Sequence, residues 1–172
     1  LATFYFFLLG TPYIYQGQEI GMENTVWNSV EELADTRAKI TWKEKLEQGE
    51  DGEKLLKYFN DWGRDNARTP MQWNDEENAG FTVGNPWLKV RDDYREVNVK
   101  KQWEEENSLL SYYKKLIRLR KEEAFADIMQ EGGFIPLLEK EQGVIAYKRN
   151  HEDKALIVLV NLQNRKAALE PG

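Results

Sequence analysis

The sequence predicts an α/β segment followed by a small all-β segment, and three observations carry that prediction. The chain opens on an apolar helix that a Gly-Pro turn passes to a short β-prone run, which is the αβ step of a parallel sheet. Its clearest amphipathic helix, from Ser108 to about Glu122, comes only after a long polar stretch. Beyond it the pattern switches to short β-runs at close spacing, the mark of an antiparallel meander.

Residues 1–9 (Leu1-Ala2-Thr3-Phe4-Tyr5-Phe6-Phe7-Leu8-Leu9) are apolar on all sides, as in a helix buried between layers. Gly10-Thr11-Pro12 ends that helix, because Pro12 disfavours helical geometry at the residue before it. Tyr13-Ile14-Tyr15 then reads as a short strand closed by Gly17. Two capping boxes follow, Ser29-Val30-Glu31-Glu32 and Thr41-Trp42-Lys43-Glu44, and place short helices near 29–34 and 42–48. A third helix near 53–60 takes its apolar contacts from Leu55, Leu56, Tyr58 and Phe59. In 61–90, Gly63, Pro70, Gly80, Gly84 and Pro86 alternate with Trp62, Trp73, Phe81 and Trp87, predicting an ordered loop packed by its own side chains. A connection of that length in a compact domain is usually functional.

Asn107-Ser108 caps the helix that ends near Glu122. Leu109, Leu110, Tyr113, Leu116 and Ile117 share one face, while Lys114, Lys115, Arg118 and Lys121 face water. The β-runs 134–138, 144–148, 155–161 and 167–169 are separated by turns at 139–143 and 150–153. The sequence thus divides into an α/β part, residues 1–124, and a C-terminal antiparallel β domain, residues 125–172.

With 24 Lys+Arg against 30 Asp+Glu the net charge is −6, which disfavours nucleic acid as a partner because phosphate contacts need clustered cations. Residues classed as hydrophobic make up 41%, too many for a disordered chain. No apolar run reaches the ~18–20 residues of a membrane helix. The absence of Cys removes disulfides, thiolate metal sites and a cysteine nucleophile. The apolar opening lacks a signal peptide's basic start and cleavage site. It is expected to be a core helix cut partway, so that the sequence is a piece of a longer protein and residues 1–9 are free to drive self-association.

Two stretches carry candidate chemistry. Gly63-Arg64-Asp65-Asn66-Ala67-Arg68-Thr69-Pro70-Met71-Gln72-Trp73 sets two guanidinium groups beside an acid, an amide and an indole. Arg supplies a rigid fork of donors, Asp and Asn accept or bridge, and Trp offers a flat apolar face, a set suited to sugar hydroxyls and a pyranose ring. The same residues also suit a structural network in which Asp65 pairs an Arg and Trp73 plugs the core. The second stretch, from Gly10 to Met22, places Gln16, Gln18 and Glu19 just after the predicted strand. In parallel barrels that is the active-site end; the structural alternative has Glu19 anchoring the loop by accepting backbone amides. His151 is expected in an exposed turn, and Glu104-Glu105-Glu106 on a solvated face. No metal site or cofactor is expected, and no phosphate-binding loop, Ser-His-Asp set or HExxH motif occurs.

Together these two stretches resemble the C-terminal part of family 13 glycoside hydrolases, the α-amylase superfamily, and within it the oligo-1,6-glucosidase, dextran glucosidase and α-glucosidase subgroup. The likeness covers almost the whole chain. Gly10–Glu19 is similar to the family's motif around the eighth strand of a (β/α)8 TIM barrel, Arg64–Trp73 to the segment between the eighth strand and helix, and 108–122 to the last barrel helix. The resemblance implies a retaining α-glucosidase acting on gluco-oligosaccharides in the cytoplasm, in which one carboxylate attacks the anomeric carbon and another protonates the leaving oxygen. In the family those groups and a third Asp lie on strands before this chain begins, so the chain alone is expected to hold no catalytic residue and no activity. What carries over is Arg68, contacting the non-reducing glucose, with Arg64 and Asp65 as loop supports and Gln16, Gln18 and Glu19 shaping the strand-end loop. Where many relatives have Glu, this chain has Gln18, which keeps hydrogen bonding but drops a charge. Trehalose-6-phosphate hydrolase and sucrose isomerase share much of this segment, and a non-catalytic carbohydrate-binding or scaffold module is the reading outside enzymes.

Overall fold

The computed structural model describes residues 1–164 and 166. They form two compact units, one from residues 15–111 and one from residues 1–14 with the chain from 112 onward. This division differs from the cut at 124 drawn from the sequence, because the opening residues pack with the C-terminal part of the chain.

The 15–111 unit holds helices α2 (Thr36–Glu47), α3 (Gly52–Trp62) and α4 (Val99–Glu104), with the 3-10 turns Arg64–Arg68, Glu77–Gly80 and Asp92–Arg95 between α3 and α4. Asp51 caps α3 by accepting the amides of Glu53 at 2.8 Å and Lys54 at 3.4 Å. The cap of α2 is Asp35, which accepts the Arg37 amide at 2.9 Å, so Thr41 lies inside the helix and its expected capping box does not form. At Ser29 the expected helix shrinks to one 3-10 turn, Val30–Glu32, without a side-chain cap bond. Trp27, Val30, Leu33, Ala38, Phe59 and Leu88 make one core cluster, and Ile20, Met71 and Leu110 a second. Burying a Leu or Phe of this kind contributes about 1.5–3 kcal/mol.

The long loop is ordered, but not in the way the aromatics suggested. Trp62, Trp73, Phe81 and Trp87 are all exposed. Polar bonds order it instead: the Trp73 and Asn74 amides both donate to the Ala79 carbonyl, and buried Gln72 donates to the carbonyl of Val97.

In the other unit, helix α1 runs only from Ala2 to Phe6. A five-residue helix without a side-chain cap is marginal. Its last carbonyls are taken by arginines in place of a further turn: Arg120 donates to Phe6 O at 2.5 Å and Arg149 to Phe7 O at 3.0 Å. The opening is not buried all round, since Ala2, Phe6 and Phe7 are buried while Leu1 and Leu9 are exposed. Residues 13–15 form no strand, because a strand needs a ladder and among the described residues none pairs with them.

Helix α5 (Leu109–Lys121) starts at Ser108, whose Oγ accepts the Ser111 amide at 3.1 Å. A further helix, α6 (Glu123–Gln130), stands where the sequence reading began the β domain. The sheet follows: β1 (Gly133–Leu137), β2 (Val144–His151) and β3 (Lys154–Asn161), antiparallel in the order β1-β2-β3. Pro136 is tolerated because β1 is an edge strand. His151 ends β2, opposite Lys154, and does not sit in the turn. The run expected at 167–169 lies outside the described residues.

Phe6, Phe7, Tyr113, Leu116, Ile128, Tyr147 and Val158 form this unit's core. Within it Arg149, 0% exposed, donates to five main-chain carbonyls, those of Phe7, Ile128, Met129, Gly132 and Gly133.

Candidate functional site

The candidate residues of the two motifs fall mainly in the 15–111 unit. Gly63 ends α3 in extended geometry, and Arg64–Arg68 winds into a 3-10 turn directly after it. That turn is built around Asp65, which is 1% exposed. Its Oδ2 accepts the amides of Ala34 at 2.7 Å and Asp35 at 2.9 Å, tying the turn to the start of α2. Its Oδ1 has no hydrogen-bond partner among the described residues and lies 3.5 Å from Nη1 of Arg68. Arg64 reaches outward to Asp35, 3.7 Å away, from a largely exposed position.

Asn66 serves the fold. Its Oδ1 accepts the indole N–H of buried Trp27 at 2.8 Å, and its Nδ2 donates to the carbonyls of Asn60 at 2.8 Å and Phe59 at 3.3 Å. Lys89 stacks 5.3 Å from the centre of the Trp27 ring and bonds Glu32 at 2.5 Å, and that bond holds the Glu32 carboxyl below the usual carboxylate range. Trp73 is half-exposed and plugs no core.

Tyr15 joins the two motifs. Its hydroxyl donates to Ala67 O at 2.7 Å, and its amide donates to Gln18 Oε1 at 3.2 Å. Gly17, at φ +86, makes the tight turn between them; a Cβ there would meet the Met22 sulfur at 2.6 Å. Glu19 is half-buried with Oε2 unpartnered among the described residues, and no described amide bonds it, so it does not anchor the loop in that way.

Between these elements lies a cleft of about 390 Å³, lined among others by Tyr15, Gln16, Gln18, Asp61, Trp62 and Asn66. Gln16 and Gln18 are therefore brought together with the end of the Arg64–Arg68 turn. The Arg64, Asp65 and Arg68 side chains are not part of the lining. Trp62, 76% exposed, gives the cleft a flat apolar wall. Its position in the sequence, one residue before Gly63 at the end of an amphipathic helix, was the signal for it, yet it reads equally as a core residue. Chemically the cleft offers an indole face beside amide donors and acceptors, which matches a polyhydroxylated ring. Among the described residues no group of three or more His, Asp or Glu is placed to hold a metal ion.

The alpha-amylase catalytic domain family matches residues 1–132, and the chain belongs to that family. Among individual proteins it is 46% identical over 166 residues to the oligo-1,6-glucosidase of Parageobacillus thermoglucosidasius, a match covering 96% of this chain and 29% of that protein. The crystal structure of Bacillus licheniformis trehalose-6-phosphate hydrolase superposes with a TM-score of 0.87 at 40% identity, over 94% of this chain and 28% of that one. A variant of isomaltulose synthase from Erwinia rhapontici NX5, solved with its natural substrate sucrose, gives 0.85 at 36% identity, over 94% and 29%. The chain thus spans about 30% of the length of the curated relatives it matches.

Proposed function

We propose that this chain is the C-terminal portion of a retaining α-glucosidase of the oligo-1,6-glucosidase type, acting in the cytoplasm on the terminal α-glucosidic bonds of short gluco-oligosaccharides. Likeness to the Parageobacillus oligo-1,6-glucosidase along almost the entire chain is the observation that carries this reading. In the proposal residues 1–124 belong to the end of the TIM barrel and 125–172 to the β domain that follows. The nucleophilic and acid/base carboxylates lie upstream of the segment, and two-carboxylate chemistry does the hydrolysis. The segment contributes Arg68, whose guanidinium binds hydroxyls of the terminal glucose. Arg64 and Asp65 support its turn, and Gln16, Gln18 and Glu19 shape the neighbouring loop. The structural likeness to trehalose-6-phosphate hydrolase and isomaltulose synthase favours two further substrates for the parent protein, trehalose 6-phosphate and sucrose.

In the full-length enzyme Arg68→Ala is expected to lower kcat/KM on isomaltose by about 10²-fold, the scale of a lost positioning contact; unchanged kinetics would remove Arg68 from the site. The chain alone is expected to release no p-nitrophenol from p-nitrophenyl α-glucoside, and turnover by pure chain would sink the assignment of the carboxylates. Isothermal titration of the chain with isomaltose and maltose is expected to be silent, whereas clear heats would make it a carbohydrate-binding module.

A further inference from the structure

We infer that Asp65 is a positioning residue for Arg68, beyond its support of the turn. The inference rests on the reading of Arg68 given above. A carboxylate 1% exposed needs compensation for each oxygen it takes out of water. Oδ2 has two amides, from Ala34 and Asp35, whereas Oδ1 has no hydrogen bond among the described residues and faces Nη1 of Arg68 at 3.5 Å. The anion is therefore fixed by the backbone on one side and spends its other side on the guanidinium. Arg68 is in the opposite state. Its side chain is 34% exposed, and Asp65 is its sole ion-pair partner among the described residues.

One end of a planar five-donor fork is thus held against an immobile buried charge while its other donors stay available. An arginine that swings freely loses rotamer entropy when a sugar arrives. A tethered one has lost it already, which is preorganisation. Arg64 does not share this arrangement, since it lies on the surface against Asp35.

Asp65→Asn separates the two roles of the carboxylate. The amide oxygen still accepts from Ala34 and Asp35, while an N–H group replaces the anionic oxygen facing Arg68. In the full-length enzyme this variant is expected to raise KM for isomaltose about tenfold with a smaller change in kcat, and to have no further effect in an Arg68→Ala background. An equal loss in both backgrounds, with Arg68→Ala itself impaired, overturns the inference and leaves the function of Arg68 standing. Wild-type kinetics for Arg68→Ala overturns both. If Asp65→Asn does not fold, the thermal midpoints of Arg68→Gln and Arg68→Lys carry the test. Gln strands the buried anion and is expected to lower the midpoint, with Lys restoring at least half of the loss. Equal midpoints for Gln, Lys and the parent overturn the pairing.

Discussion

Asp65 and Arg149 are both buried ions compensated chiefly by main-chain groups: two amides for the acid, five carbonyls for the base. Removing such a group leaves backbone dipoles unpaired at about 1–3 kcal/mol each. Arg149→Met is therefore expected to cost at least about 3 kcal/mol in urea unfolding, and a loss below 1 kcal/mol would show that water replaces the guanidinium. Burial also lowers the Arg149 and Arg120 pKa values from their ordinary range. Tyr147, whose hydroxyl donates to Phe4 O at 2.6 Å, is pushed by burial from 10.0 to about 12, against the opposing pull of the two arginine charges. Between those two values the folded chain keeps a proton that the unfolded chain has released. Stability is thus expected to be independent of this group's titration well below pH 10 and to fall as pH rises from 10 toward 12. Comparing urea midpoints at pH 9 and pH 11 with those of Tyr147→Phe, which should show a shallower decline, isolates this group. None of this was legible in the sequence. A side chain that binds backbone oxygens leaves no partner residue type to find, whereas Asp65 and Arg68 were visible because both members of the pair sit in one short motif.

Helix starts show where local pattern was enough and where it was not. Asp51, which heads no capping box, caps α3 through two amides, while Ser29, which has the capping-box spacing, makes no cap bond. Asp51→Ala is expected to cost about 1 kcal/mol and Ser29→Ala less than about 0.5 kcal/mol, read from chemical denaturation of each; equal costs would mean that spacing decides capping here. Helix α5 buries Leu110, Tyr113 and Leu116 at the spacing its apolar pattern predicts, whereas the strands are held by their ladders, with Phe134 and Ile135 of β1 exposed. The expected strand at 13–15 fails because no described residue offers it a ladder, and propensity cannot supply a partner. Helix α6 was missed because its eight residues abut α5, and the capless junction at Glu122 carries no boundary signal.

For the molecule as a whole, exposed apolar side chains mark where copies of it can associate. Leu1 is 82% exposed and Leu9 59%, beside a well-buried Phe6 and Phe7. We propose that the isolated chain self-associates through this opening segment. Sedimentation velocity at tens of micromolar is expected to show species above 20.2 kDa, which Leu1→Ser with Leu9→Ser abolishes; a monomer in both samples refutes it. The Arg149 cage has a different bearing on the molecule. One guanidinium fastens the end of α1 to the adjoining end of α6 and start of β1, two stretches far apart in the chain. Amide hydrogens in those stretches should therefore exchange with solvent at one shared rate, set by a single opening event and not by two independent frayings.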